Sequence, residues 1–219
     1  VGVAGQEGRR NAPTVINGQI PAGERWDFVV LQEYSTLPTF HPIYGNVPAF
    51  QEASDTLYMD VLEHSPEAKA VLFETWARAP GHPYYPDDWP DPATMQGELR
   101  TNYLACVDAL NAVHGPGSAR YAPVGDAFED GAFDPGLYSG DLYHASARGA
   151  LLIALVLYGT IYEDPTTADI NLAPVAAGLG LSGHDIAIAT ILADRALVPA
   201  PSVLAPIAWC AIAPRRRRG

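Results

Sequence analysis

Apolar residues fall along this chain in two alternating rhythms. Trp26-Asp27-Phe28-Val29-Val30-Leu31-Gln32 has a continuous apolar centre rich in β-branched residues, the pattern of a strand covered on both faces. Phe50, Ala53, Leu57 and Val61 then recur at helical spacing before Pro66. Ala70 to Trp76 reads as a second buried strand. Met95, Leu99, Tyr103, Cys106 and Leu110 mark a helix over 93–113 that stops at His114-Gly115-Pro116. Ala119 to Val124 predicts a third strand, Ala145 to Tyr162 a buried helix, and Gly183 to Leu197 a last amphipathic one. The Pro-rich segment 79–92 and the turn-rich segment 128–143 read as loops.

Strands alternating with helices at this spacing imply a parallel sheet with helices on both faces. Ligands of such folds bind outside the carboxyl ends of the strands. The segments to search are therefore Gln32 to Thr36, Thr75 to Arg78, Gly125-Asp126 and the loop before the buried helix.

Composition narrows the field. In 219 residues, 48% are hydrophobic and the formal charge is −12, a surface that repels nucleic acid and anionic lipid. Four of the 13 basic residues are the terminal run Arg215 to Arg218, which reads as a solvated tail, so the preceding chain is more acidic still. The apolar run 149–161 is too short to span a bilayer and reads as a buried helix of a soluble chain. No signal peptide is visible, which leaves cytoplasmic and secreted locations open. A single lysine, Lys69, against 12 arginines reads as the codon bias of a GC-rich genome, the pattern expected of a bacterial source. Cys106 and Cys210 lack CxxC spacing, Cys210 reads as an inert buried thiol, and no His/Asp/Glu cluster has metal-site spacing. No metal or cofactor is expected.

The loop before the buried helix contains Asp141-Leu142-Tyr143-His144. A carboxylate three residues before a histidine can hold Nδ1 and leave Nε2 as a general base. The pair alone is a common coincidence. In the block Leu-Tyr-x-x-Asp-x-x-His-x-Ser-x-x-Gly-Ala at 137–150, however, it resembles the last conserved block of the SGNH (GDSL-like) hydrolases. Trp26 to Gln32 continued by Glu33-x-Ser35, the strand Val71 to Arg78, and Tyr121-Ala122-Pro123-Val124-Gly125 resemble further blocks of one bacterial branch, in order, over about residues 1–195.

The resemblance implies a flavodoxin-like three-layer α/β/α sandwich over residues 1–197, followed by an extension at 198–219. It also implies a metal-free Ser-His-Asp esterase, with Asp141 as the orienting acid and His144 as the base. The substrate would be a small-molecule or carbohydrate ester. Gly5 matches the family's oxyanion glycine, and Gln32 stands where the family usually has Gly-x-Asn-Asp. Gln32 either donates to an oxyanion or caps its strand. Trp76 and Arg78 either line the substrate pocket or are a packing Trp and a surface Arg. His41 and His82 fall in Pro-rich loops at the cleft edge. The family's nucleophile lies in a Gly-Asp-Ser or Gly-Asn-Ser turn after the first strand, and neither tripeptide occurs in this chain. The sequence opens in what resembles the second block, so the sheet is expected to lack its first strand. Ser35 and Ser139 lie near strand end and dyad, but neither is in a predicted strained turn. The alternative is an inactive domain of the same fold that binds an acylated glycan.

Overall fold

The computed structural model describes residues 23–198. Three parallel strands, β1 (Phe28–Leu31), β2 (Lys69–Phe73) and β3 (Ala119–Ala122), lie side by side in chain order. Phe28 pairs with Lys69 and Leu31 with Leu72, while Ala70 pairs with Ala119 and Phe73 with Ala122. The central strand is the most apolar, since Ala70, Val71 and Leu72 have no exposed surface, and both its faces are covered. β1 pairs on one side only among the described residues, and Val30 is 42% exposed.

Helices α1 (Val47–His64) and α2 (Pro92–His114) bring Phe50, Tyr58, Tyr103, Cys106 and Leu110 against Leu31, Ala70, Leu72 and Ala119. On the opposite face, α4 (Ala147–Tyr162) and α6 (Gly183–Leu197) pack Leu152, Val156, Ala189 and Leu192 into a second core with Phe73. The molecule is a flavodoxin-like α/β/α sandwich. Each long helix begins on a side-chain cap that satisfies a free backbone N–H. Asn46 accepts from Ala49, Asp91 from Thr94, Ser146 from Gly149 and Ser182 from Asp185. α2 stops at Gly115, whose φ of 104° suits glycine.

Two short helices fall where the sequence pattern predicts none. α3 (Val124–Asp130) follows β3 directly, and α5 (Ala173–Leu179) precedes α6. The expected third strand therefore ends at Ala122. The Pro-rich 79–92 loop is ordered by aromatic packing: Trp89 is buried, and its ring lies 4.6 Å from His41, which stacks on Tyr44. His41 Nε2 also lies 3.4 Å from Asp88. Cys106 is a buried free thiol, pushed up to about 11 by burial, and Cys210 lies outside the described residues. No described helix is by itself long and apolar enough to cross a membrane.

Candidate active site

Asp141 and His144 meet as the spacing predicts. Asp141 Oδ2 lies 2.6 Å from His144 Nδ1, and Oδ1 accepts the backbone N–H groups of Tyr143 at 3.0 Å and His144 at 2.9 Å. The His144 side-chain bond, then these two backbone donors, hold the carboxyl down at about 2. Asp141 is therefore ionised at neutral pH and fixes the ring with Nδ1 inward. His144 Nε2 has no hydrogen bond among the described residues, and its side chain is 68% exposed.

The loop that carries the pair is closed at its base. Ser139 N–H donates to the His144 carbonyl at 2.7 Å, Ser146 N–H to the Leu137 carbonyl at 2.9 Å, and Tyr138 bridges to Ala145. Within it Leu142 adopts a φ of 60°. A leucine in this left-handed region costs about 1–2 kcal/mol and is held there by its surroundings. Its N–H donates to Ser139, and its carbonyl accepts from Ala79 at 3.0 Å.

That last bond is one of three tying the dyad loop to the chain leaving β2. Trp76 Nε1 donates to the Tyr143 carbonyl at 2.9 Å, and the Tyr138 hydroxyl donates to the Ala77 carbonyl at 3.0 Å. Trp76 also stacks on Phe128, with ring centres 4.8 Å apart. Trp76 is a packed indole whose ring N–H ties down the dyad loop. The exit of β2 is fixed from behind by Glu74, which has no exposed surface. Glu74 Oε1 accepts from Gln96 Nε2 at 2.7 Å and Oε2 from Asp126 N–H at 2.9 Å, while Gln96 Oε1 accepts from Ala77 N–H at 2.8 Å. A Cβ on Gly125 would overlap Gln96 Nε2 and the Thr75 carbonyl, so this corner admits only glycine.

Arg78 is not a surface residue. It is 2% exposed, and its Nη1 donates to Ser35 Oγ at 2.7 Å. Tyr143 lies over its guanidinium at 3.5 Å, and Tyr84 lies 5.6 Å away. Ser35 does occupy a strained turn, with a φ of 21°, but its hydroxyl is buried against Arg78. Ser139 and Ser146 donate to the Ala145 and Gly136 carbonyls. No serine hydroxyl among the described residues bonds His144 Nε2. Gln32 leaves β1 exposed, and its amide makes no hydrogen bond among the described residues, so it caps nothing there. Gly5 lies outside the described residues. Burial, then Arg78, lower the pKa of His82, opposed by Asp141.

The aromatic roof was not legible in the sequence. Tyr143 sits edge-on to Tyr34 at 5.9 Å and against the His144 ring at 4.2 Å. Its place inside the 137–150 block was the only signal. A separate cavity of about 710 Å³ lies where β3, α4 and α6 meet, and no residue of the dyad loop lines it. Two of its three arginines are paired, Arg100 with Asp126 and Glu129, and Arg120 with Glu163. Among the described residues no group of three or more His, Cys, Asp or Glu is arranged to hold a metal.

No protein-family model and no curated protein matches the chain. A solved structure with the same fold is that of a DUF4886 family protein from Bacteroides uniformis, determined at 1.50 Å resolution. It is 17% identical, with a TM-score of 0.55 over 84% of this chain and 65% of its own length. This chain thus spans less than two thirds of that protein, and the likeness is one of fold.

Proposed function

We propose that this domain is an SGNH-type carboxylic ester hydrolase and supplies the acid and base of a Ser-His-Asp triad. The observation that carries the reading is the Asp141–His144 pair, joined at 2.6 Å through Nδ1 with Nε2 open, on a loop tied to the carboxyl-end exit of β2. In this reading Nε2 takes the proton of an attacking serine hydroxyl, and Asp141 stabilises the imidazolium that results. The imidazolium returns the proton to the leaving alcohol, and water then releases the acyl group by the same base. The Gln32 amide and the Gly5 N–H are the oxyanion donors of the reading. In this reading the attacking serine is none of Ser35, Ser139 and Ser146, whose hydroxyls are engaged elsewhere.

The test is turnover of a short-chain p-nitrophenyl ester by the full-length protein, alongside labelling with a fluorophosphonate probe. One serine should be labelled, and His144→Ala should abolish both labelling and turnover while the circular dichroism spectrum is unchanged. Turnover unaffected by His144→Ala would remove the assignment. A second reading is favoured by the lack of a serine at Nε2 among the described residues: a binding domain that holds an acylated ligand in the same cleft. Absence of any labelled serine would select it.

A further inference from the structure

Arg78 differs from the other partly buried arginines. Arg100, Arg120 and Arg148 each meet at least one carboxylate, whereas no carboxylate among the described residues lies within 4.0 Å of Arg78. Yet Arg78 is the most deeply buried of the four, at 2% exposure. Removing a cation from water costs several kcal/mol, and a buried cation is ordinarily compensated by an anion. The groups in place are a single hydroxyl and two tyrosine faces. A guanidinium carries five donors, and among the described residues Ser35 is the one hydrogen-bond acceptor that they meet.

The position of this cation gives it a use. Its roof, Tyr143, is the residue before His144, and the two rings are 4.2 Å apart. Tyr143 thus packs against the guanidinium and the dyad imidazole alike. Tyr34, edge-on to that roof, is 57% exposed, so the roof over Arg78 borders the surface. The protein's net charge of −12 opposes the approach of anions. Anion recognition has to be local, and Arg78 lies against the ring that packs on His144.

We infer that Arg78 anchors a carboxylate carried by the ligand, and that the ester taken at His144 is the monoester of a dicarboxylic acid or a similarly anionic ester. The ester part rests on the hydrolase reading; the anchor does not. The bidentate fit distinguishes a planar carboxylate from a neutral ester, which offers weaker acceptors and no charge.

The experiment is a ligand-observed NMR titration of the full-length protein with monomethyl succinate and, separately, dimethyl succinate at neutral pH. The monoanion should bind at least about tenfold more tightly, the value of a hydrogen bond to a charged partner. Arg78→Gln should erase the difference, and Arg78→Lys should keep part of it, since Lys retains charge without the fork. Equal binding of both ligands by the unaltered protein overturns the proposal without any variant having to fold. Discrimination that persists in Arg78→Gln also overturns it. Glu7 is the one acidic side chain outside residues 23–198. If monoanion binding appears only in Glu7→Gln, Arg78 is a structural ion-pair member and the proposal fails. Ester turnover that survives His144→Ala removes the hydrolase reading alone, and the binding difference then still reports on Arg78.

Discussion

Glu74 and Asp141 are two carboxylates near the same end of the sheet, and each fixes a neighbouring stretch of backbone. Their environments treat the charge in opposite ways. Glu74 has no exposed surface, and burial, then the nearby Asp126, push its carboxyl well above the usual range. Asp141 is half-exposed, and the His144 side chain with two backbone donors holds it at about 2. One carboxylate acts as a tie whose ionisation the fold opposes. The other stays ionised throughout the neutral range, as the orienter of a base must when the imidazole becomes positive. The contrast separates a carboxyl that the fold holds against ionisation from one that it keeps charged.

The two can be broken independently. Asp141→Asn keeps the size of the side chain but disturbs the tautomer and the charge opposite His144. Ester turnover should fall on the order of 10⁴-fold with little change in melting temperature. A comparable loss of stability would show that the pair is a fold element after all. Glu74→Ala should do the reverse. It strands the buried donors of Gln96 and Asp126, at about 1–3 kcal/mol each, and the denaturant midpoint should drop accordingly. Gly125→Ala drives a methyl into the same network and should cost about 1–3 kcal/mol in the same measurement. A neutral result for both would mean that the corner relaxes freely.

The smallest effect is in pH. Because the folded-state pKa of Glu74 is raised, the unfolded chain loses that proton first, at about 4.5. Its contribution to stability is complete below that pH and declines as pH rises toward the folded value. Asp141, lowered from 3.8 to about 2, contributes above about pH 4 and is lost as pH falls through about 2. Chemical denaturation followed from pH 2 to 8 should show both slopes, with Glu74→Gln flattening the upper one and Asp141→Asn the lower.

Much of this architecture was legible because its signals are local. The three strands are apolar runs, the last helix matches its expected span at Gly183–Leu197, and an Asp three residues before a His closes on itself. What escaped the sequence depends on distant partners. α3 has seven residues, too few for a helical period, and its Asp126 N–H is held by Glu74, 52 residues away. Arg78 reads as a surface arginine because nothing near it in the chain explains burial. Its hydroxyl partner Ser35 is 43 residues away, and its roof comes from the loop before α4. The strain at Ser35 is equally invisible, since a positive φ on serine is imposed by packing.

The edge of β1 that pairs with no described strand bears on how a shortened protein behaves in concentrated solution. A version cut to residues 23–198 would present Phe28–Leu31 as an apolar ribbon with free N–H and C=O groups along one side. Such edges pair with one another and seed aggregation. Shortened preparations should therefore self-associate with rising concentration in size-exclusion chromatography. Val30→Lys, which places a charge at the 42% exposed position of that edge, should return them to monomers.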